Sequence, residues 1–259
     1  MNPFSTAFIQ AVHFGHLVAV HLPDSKEPVP DSVLDRLTPP EREHALSLGG
    51  YRQVDWVGGR LAMREALSKL DRRSPGLLVD GHGAPVLPAG VAGSVSHKRT
   101  LAVALAARHV HGRLGVDVED LAPARPRIAE RVLLPEELEE VRALPEDRQW
   151  TSIALRFSFK EAIYKALHPF VKRYVDFQEA VVQPDLDLTA EVELRLRDGE
   201  GPFQIEARYL WLDGRVVTMV RIADPKARKP RSRRRRRRGS GGSRKPKQQA
   251  EHSSSEGQA

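Results

Sequence analysis

Two short segments decide how this chain folds: Gly115-Val116-Asp117-Val118-Glu119 and Phe157-Ser158-Phe159-Lys160-Glu161-Ala162-Ile163-Tyr164-Lys165. The first is typical of a strand, whose period of two places Asp117 and Glu119 on one face. The second is typical of a helix, in which Glu161 and Lys165 are neighbours one turn apart. Three carboxylates and two lysines brought together could hold a divalent cation, with ammonium groups beside it for a diphosphate. The two segments therefore predict a phosphate-handling site.

Each segment has an ordinary structural interpretation when it is taken alone. An acidic pair such as Asp117 and Glu119 on a strand is usually a solvated face. Glu161 and Lys165 also have the spacing of a helix-stabilising ion pair, which is the commoner interpretation of an isolated instance. The prediction of a site depends on finding both segments in this order and at this spacing.

The combined pattern resembles the 4′-phosphopantetheinyl transferases, whose signature is Gly-x-Asp-x-Glu followed after about forty residues by aromatic-Ser-x-Lys-Glu-x-x-x-Lys. The resemblance extends from about Thr38 to Ile222 and is to the larger, monomeric type found in enterobactin-synthetase components. It implies an α+β fold of two similar halves, each a small antiparallel sheet packed with a long helix. It also implies that coenzyme A binds in the cleft between the halves.

Two further blocks fit the same resemblance: Gly81-His82-Gly83-Ala84-Pro85-Val86-Leu87-Pro88 and Gly93-Ser94-Val95-Ser96-His97. The second resembles the Gly-Ser-x-Ser-His block of the family, which implies that Ser96 and His97 bind phosphates of the coenzyme. Hydroxyl and imidazole donors are suited to that contact. A histidine such as His97, taken alone, would instead be interpreted as a loop residue bonded to backbone.

A predicted helix that begins near Tyr51 carries Arg52 and Arg60, which match an arginine-bearing helix of the family. Their guanidinium groups suit bidentate contacts to phosphate, although arginine on a helix is more often solvated surface. Arg42 and Arg64 are weaker candidates.

Two positions depart from the family pattern. Many relatives have a lysine or arginine just before the proline of the Gly-x-x-x-Pro stretch, where this chain has His82, Gly83 and Ala84. We therefore expect a basic contact to the coenzyme to be weaker or supplied elsewhere. Phe159 stands where a small residue is common, and we expect it to point away from the apolar stripe of its helix.

The resemblance implies a role for each candidate residue. Asp117, Glu119 and Glu161 are expected to ligate Mg²⁺, and Glu161 with Lys165 to act in catalysis. The expected coenzyme contacts are Arg52, Arg60, Ser96, His97, Asp117, Lys160 and Lys165. The implied reaction moves the 4′-phosphopantetheine arm of coenzyme A to a serine of an acyl or peptidyl carrier protein and releases adenosine 3′,5′-bisphosphate. Polyketide, nonribosomal-peptide and siderophore pathways of secondary metabolism are the expected context.

Composition agrees with a soluble enzyme. The chain has 259 residues, is 40% hydrophobic and contains no cysteine, which excludes disulfides and thiolate metal sites. No apolar stretch is long enough to span a membrane. These features, with an N-terminus that lacks a basic segment leading into an apolar run, predict a cytoplasmic protein, and the resemblance implies a monomer.

The net charge of +7 arises from the end of the chain, because residues 225–259 hold 13 Lys and Arg against 2 Glu. With few apolar residues, this segment is predicted to be disordered. One rival function is a nucleic-acid-binding protein that acts through this arginine-rich tail, although the tail has no aromatic residue for base stacking. Two others are a Mg²⁺-dependent phosphohydrolase and an interaction protein that has lost catalysis.

The predicted organisation is an N-terminal half (residues 1–112), a C-terminal half with the metal site (113–224) and the tail (225–259). On its own the sequence supports an α+β protein with antiparallel strands. It predicts strands within 7–22 broken near Gly15, helices at 38–48, 51–70 and 150–167 and from Pro135, several short strands within 77–107, and a hairpin at Asp213-Gly214.

Overall fold

The computed structural model describes residues 2–81, 83–109 and 112–223. Within these residues the helices are α1 (Asp31–Leu34), α2 (Pro39–Leu46), α3 (Tyr51–Ser68), α4 (Ala129–Val132), α5 (Pro135–Arg142) and α6 (Glu146–Val171). The strands are β1 (Thr6–Val12), β2 (Gly15–His21), β3 (Val91–Lys98), β4 (Leu101–Arg108), β5 (Arg113–Asp120), β6 (Ala180–Pro184), β7 (Thr189–Leu194), β8 (Gln204–Leu212) and β9 (Arg215–Ala223).

The first sheet has the strand order β1-β2-β4-β3, and every pairing in it is antiparallel. Helix α3 packs on one face of this sheet through an apolar side that includes Val54, Val57 and Leu61, all of which are buried. The turn between β1 and β2 ends at Gly15, so the predicted break in the first apolar stretch is confirmed.

The second sheet is also antiparallel and has the order β5-β9-β8-β7-β6. Helix α6 crosses β5 and β9 at close range. A Cβ added to Gly115 on β5 would lie 1.8 Å from the carbonyl oxygen of Ala162 on α6, so only glycine permits this approach. The predicted hairpin is confirmed, with Gly214 at φ +65° between β8 and β9.

The two sheets share a hydrophobic core on the faces turned away from their long helices. Leu17 and Val103 of the first sheet belong to the same buried cluster as Val116 and Val217 of the second. The described residues accordingly form one compact unit. The boundary between the halves near residue 112 stays a prediction. Residues 225–259, which are predicted to be disordered, lie outside the described part of the chain.

A buried glutamate occurs at the same place in each half, and this confirms that the halves are similar. Glu41 of α2 accepts hydrogen bonds from the backbone of its N-cap Thr38, from Arg64 on the long helix α3 and from the backbone of Leu77. Its separation from Arg64 is 23 residues.

Glu137 of α5 repeats the arrangement in the second half. It accepts from the backbone of its N-cap Leu134, from Lys160 on the long helix α6 and from the backbone of Val182. Glu137 and Lys160 are again 23 residues apart. Both glutamates are fully buried. Through its hydrogen bonds, each connects a short helix, a long helix and a later backbone segment, at Leu77 in the first half and at Val182 in the second.

Three sequence expectations need correction. Helix α6 is longer than predicted at both ends, starting after Pro145 and ending with Lys172 in the left-handed region at φ +53°. Among the described residues, the range 77–107, where several short strands were expected, holds two eight-residue strands, β3 and β4, and an isolated bridge between Val79 and Pro85.

Phe159 is the third correction, because it is fully buried instead of lying off the apolar side of its helix. It meets the ring of Tyr209 edge-on at 5.8 Å between centroids. The reason is that α6 is covered on two sides, by the second sheet and by the cluster around α4 and α5. In the described part of the chain, no helix combines the length and apolar character needed to cross a bilayer.

Candidate active site

Asp117, in the middle of β5, is the centre of the candidate site and is buried. Its Oδ1 accepts a hydrogen bond from Ser96 Oγ on β3 at 2.8 Å and another from Lys165 Nζ on α6 at 2.7 Å. Lys165 Nζ also donates to Ser96 Oγ at 3.0 Å and to the carbonyl oxygen of Val116 at 3.1 Å. The three N–H groups of the ammonium thus each have an acceptor, and both halves of the chain contribute to the site.

The second oxygen of Asp117 faces the core of the C-terminal half. Ser158 Oγ lies 2.9 Å from Asp117 Oδ2 and 2.9 Å from Thr218 Oγ1 on β9. Ser158 and Thr218 are both fully buried. Their hydroxyl groups therefore form a chain of hydrogen bonds between α6, β9 and the carboxylate.

Glu119 lies two residues further along β5 and on the same face as Asp117. Its carboxylate is bracketed by Lys98 Nζ at 2.6 Å and an Arg125 terminal nitrogen at 2.9 Å. Burial raises the pKa of Glu119; the hydrogen bond from Lys98 opposes this shift, and the charge of Asp117 adds to it.

Glu161 lies on α6, one helical turn before Lys165, and its side chain is half-buried. Burial raises the pKa of its carboxyl group, the charge of Asp117 raises it further, and Lys165 opposes both effects. The charge of Glu119 also raises the pKa of Glu161. The structure therefore brings the three predicted metal ligands within electrostatic reach of one another.

The carboxylates are not, however, arranged as a preformed metal centre. Among the residues that the structure describes, no three His, Asp or Glu side chains have the geometry to hold a metal ion. The lysine and arginine contacts described above occupy several of the carboxylate oxygens instead.

A cavity of about 720 Å³ opens beside Glu161 and Lys165. This volume is typical of a site for a small molecule or cofactor. Residues from both halves form its wall, among them Asp80, Leu87 and Ser94 from the N-terminal half and Arg113, Glu161, Tyr164, Lys165, His168 and Lys172 from the C-terminal half. The expected cleft between the halves is therefore present in the structure.

His97 lies at the end of β3 beside helix α3. Its Nδ1 is 3.4 Å from Asp55 Oδ2, and about half of the imidazole is exposed. The interpretation of His97 as a loop histidine bonded to backbone is wrong. Because successive residues of a strand point to opposite faces, the His97 ring faces α3 while Ser96 faces Asp117 on β5.

Neither of the arginines proposed for the coenzyme is among the described residues that line the cavity. Arg52 is exposed on the first turn of α3. Arg60 is buried, with its guanidinium 4.5 Å from the ring centroid of Trp56 and its Nε without a hydrogen-bond partner. Burial lowers the pKa of Arg60 to about 10. The weaker candidates are engaged in ion pairs, Arg42 with Asp31 and Arg64 with Glu41.

The structure contradicts the expected contact between Lys160 and the diphosphate. Lys160 Nζ donates to Glu137 at 2.6 Å and to the carbonyl oxygen of Val132 at 2.8 Å, and its side chain is 1% exposed. Burial lowers the pKa of Lys160, and Glu137 opposes the shift. Because successive residues of a helix are 100° apart, Lys160 faces the core while Glu161 faces the cavity.

Sequence reasoning missed Lys98, Ser158 and Thr218 as members of the site. Lys98 directly follows Ser96 and His97, which were expected to bind phosphate, so its position in the sequence could have indicated a role in the site. Ser158 stood inside the quoted helical segment but had no role assigned to it. Nothing in the sequence around Thr218 indicated its contact with Ser158, since that contact depends on the pairing of β5 with β9.

Comparison with known families agrees with this geometry. The family model for the 4′-phosphopantetheinyl transferase superfamily matches residues 113–220. The model for the 4′-phosphopantetheinyl transferase N-terminal domain matches residues 43–107. The first match spans the second sheet and α6, whereas the second match covers α3, β3 and most of β4 but not β1 and β2.

Two relatives align over most of their length. The chain is 31% identical over 210 residues to 4′-phosphopantetheinyl transferase Svp of Streptomyces mobaraensis, covering 76% of this chain and 82% of that protein. It is 30% identical over 207 residues to 4′-phosphopantetheinyl transferase Npt of Nocardia iowensis, covering 71% of this chain and 89% of that protein. A solved holo-(acyl-carrier-protein) synthase from Bacillus anthracis is 20% identical, and the alignment covers 44% of this chain and 96% of that protein. Its TM-score of 0.37 is too low to support a conclusion.

The chain therefore belongs to the 4′-phosphopantetheinyl transferase superfamily, as a member of its larger, two-domain type. It is an enzyme of the transferase class.

Proposed function

We propose that this chain transfers the 4′-phosphopantetheine arm of coenzyme A to a serine hydroxyl of an acyl or peptidyl carrier protein, with Mg²⁺, and releases adenosine 3′,5′-bisphosphate. The observation that carries the proposal is the contact of Lys165 with Asp117 at the wall of a cavity formed by both halves. The signature residues of the family meet at that point, and the chain aligns with named phosphopantetheinyl transferases along most of their length.

By the chemistry of their oxygen atoms, and not by the present geometry of their side chains, Asp117, Glu119 and Glu161 are the residues that would hold Mg²⁺. Carboxylate oxygens are the ligands this ion prefers. Burial is the main cause of the raised pKa values of Glu119 and Glu161, and the charge of Asp117 adds to both shifts. When bound, Mg²⁺ neutralises charge on the diphosphate and on the leaving group.

Binding of the diphosphate and removal of the serine proton are assigned to side chains of the protein. Lys165 provides positive charge at the cavity wall for the diphosphate and is held in one orientation by its three acceptors. Glu161 is the proposed acceptor of the serine proton, and its raised pKa brings it closer to the pH at which it would act. Ser96 and His97 are proposed to contact phosphate oxygens of the coenzyme, and Arg52 and Arg60 remain candidates for the same role.

Several finer assignments are part of the proposal. We expect a cytoplasmic monomer, and clients in polyketide, nonribosomal-peptide or siderophore synthesis. The arginine-rich tail, and with it the rival nucleic-acid-binding function, lies outside the described residues. Deletion of residues 225–259 separates the two functions, because the enzyme proposal requires that transferase activity survive the deletion.

The decisive experiment incubates the purified protein with coenzyme A, Mg²⁺ and a panel of apo carrier proteins. Intact-protein mass spectrometry should detect a carrier that has gained one phosphopantetheine arm. The Asp117→Ala and Glu161→Ala proteins, checked for folding by circular dichroism, should give no such product. Release of phosphate without any carrier would instead favour the phosphohydrolase, and full activity of folded Asp117→Ala would refute the site.

A further inference from the structure

Ser94 on strand β3 is a buried polar residue without a partner in the protein. It is 5% exposed, and it lines the cavity between the halves. Within the described part of the chain, its hydroxyl group makes no hydrogen bond. Most buried side-chain polar groups in proteins do have a partner. The exception at Ser94 therefore indicates a partner that does not belong to the chain.

The neighbouring strand explains why this hydroxyl group is left open. Ser96 contacts Asp117 and Lys98 contacts Glu119, each 21 residues further along the chain. Ser94 projects from the same face of β3 as these two residues, because side chains of a strand alternate. The same offset of 21 residues places Gly115 beside Ser94, and glycine has no side chain to offer.

A larger residue cannot fill this gap, because helix α6 approaches β5 at Gly115. A Cβ added there would lie 1.8 Å from the carbonyl oxygen of Ala162. The packing of the long helix and the open hydroxyl group of Ser94 thus have a common cause. The group stays available to whatever molecule enters the cavity.

The chemistry of the cavity wall favours one part of coenzyme A at Ser94. The positive charges of the wall come from Lys165, Arg113 and Lys172, and these suit phosphate groups. Much of the remaining wall is apolar and is formed by Pro85, Leu87, Val91, Ala92, Val95 and Leu114. Apolar surroundings disfavour a charged phosphate, whereas a nucleoside has apolar faces and needs only a few well-placed hydrogen bonds.

We propose that Ser94 is a further coenzyme-binding residue, whose hydroxyl group forms a hydrogen bond with the nucleoside of coenzyme A. This inference rests on the proposed function, because it takes coenzyme A as the ligand of the cavity. A serine hydroxyl can both donate and accept, so it matches the polar edge of a nucleoside. The diphosphate is left to Lys165.

The stability of the free chain separates this role from a structural one. Ser94→Ala should unfold at the same denaturant concentration as the unmodified chain or a slightly higher one, because no hydrogen bond is lost. Ser158→Ala is the matched control, since that buried hydroxyl group contacts Asp117 and Thr218 and its loss should lower the midpoint. An equally large fall for Ser94→Ala, or its failure to fold, overturns the proposal.

Ligand binding supplies the second readout. Calorimetric titration of the full chain with Mg²⁺ measures the dissociation constants of coenzyme A and adenosine 3′,5′-bisphosphate. Ser94→Ala should raise both by about 5-fold, the effect of one hydrogen bond. Inorganic pyrophosphate, which has no nucleoside, should compete with coenzyme A equally well in both proteins.

The outcomes distinguish this inference from the proposed function. Unchanged affinity of Ser94→Ala for both nucleotides overturns the role of Ser94. An equal loss of affinity for pyrophosphate overturns the assignment to the nucleoside. In either case the proposed function stands as long as a carrier protein still gains its phosphopantetheine arm. Failure of the unmodified chain to bind coenzyme A overturns both.

Discussion

Lys165 Nζ lies 2.7 Å from Asp117 Oδ1, so one ion pair links helix α6 to strand β5 at the wall of the cavity. The ammonium reaches three acceptors in three directions, namely Asp117, Ser96 and the Val116 carbonyl. A guanidinium group is planar and cannot reproduce this arrangement. The pair therefore depends on lysine specifically.

Substitution at Lys165 tests that dependence. Lys165→Met should lower kcat/KM for coenzyme A by about 100-fold or more, because a preorganised charge at the diphosphate is lost. Lys165→Arg should restore less than about a tenth of the activity despite keeping the charge. Steady-state kinetics with coenzyme A as the varied substrate measure both effects. Recovery of full activity in Lys165→Arg would show that only the charge matters.

Gly115→Ala should damage both stability and activity. The added Cβ would lie 1.8 Å from the carbonyl oxygen of Ala162, so α6 must move away from β5 and from Asp117. Overpacking of this kind costs about 1–3 kcal/mol or more, measurable by denaturant unfolding. Gly49→Ala is the matched control, because a Cβ there meets nothing within 4 Å. Equal stability of the two variants would contradict the close packing.

Lys160→Met should unfold more easily yet keep its affinity for coenzyme A. Loss of the ammonium leaves Glu137 buried without its cation, which costs about 3–5 kcal/mol. The KM for coenzyme A of the folded fraction should be unchanged, because Lys160 faces the core. Lys69→Met, which removes an exposed partner of Glu65, should change stability by no more than about 0.5 kcal/mol. A large rise in KM without loss of stability would support the original diphosphate assignment.

The pH dependence of stability should report on Glu179. Burial raises the pKa of this group, but hydrogen bonds from Arg173 and from the backbone of Asp176 and Arg197 outweigh burial and lower it to about 2. A carboxyl group with a lowered pKa stabilises the protein above its usual pKa of 4.5, and this contribution is lost as the pH falls toward 2.

Comparison of the unmodified chain with Glu179→Gln measures that contribution. The variant should be less stable by about 1–2 kcal/mol at pH 7, after allowance for the partly exposed Arg173, and the difference should shrink between pH 4.5 and 2. Glu193→Gln, at an exposed ion pair, should cost little at any pH. A difference for Glu179→Gln that does not vary with pH would contradict the assigned ion pair.

The sequence was sufficient to predict the elements that have strong local signals. Thr38 and Glu41 marked the start of α2, Asp213 and Gly214 marked the last hairpin, and the period of two placed Asp117 on β5. The α+β class followed from the sequence itself and the similarity of the halves from the resemblance, and both are confirmed. These features depend on residues close together in the chain or on a motif with fixed spacing.

What could not be predicted depends on packing between distant segments. The rotation of α6 decides that Lys160 meets Glu137 while Glu161 faces the cavity, and a helical pattern with two apolar sides does not reveal that choice. The burial of Phe159 has the same origin. Thr218 reaches Ser158 only because β9 pairs with β5 in one register. Assignments of this kind require the three-dimensional contacts.

The matched pairs Glu41 with Arg64 and Glu137 with Lys160 have the same separation along the chain and occupy the same place in their halves. A repeated detail of this kind is the trace expected from duplication of an ancestral gene. The two copies now differ in their contribution to the candidate site: the C-terminal copy carries Asp117, Glu119 and Glu161, and the N-terminal copy supplies Ser96 and Lys98, which contact the first two of these carboxylates.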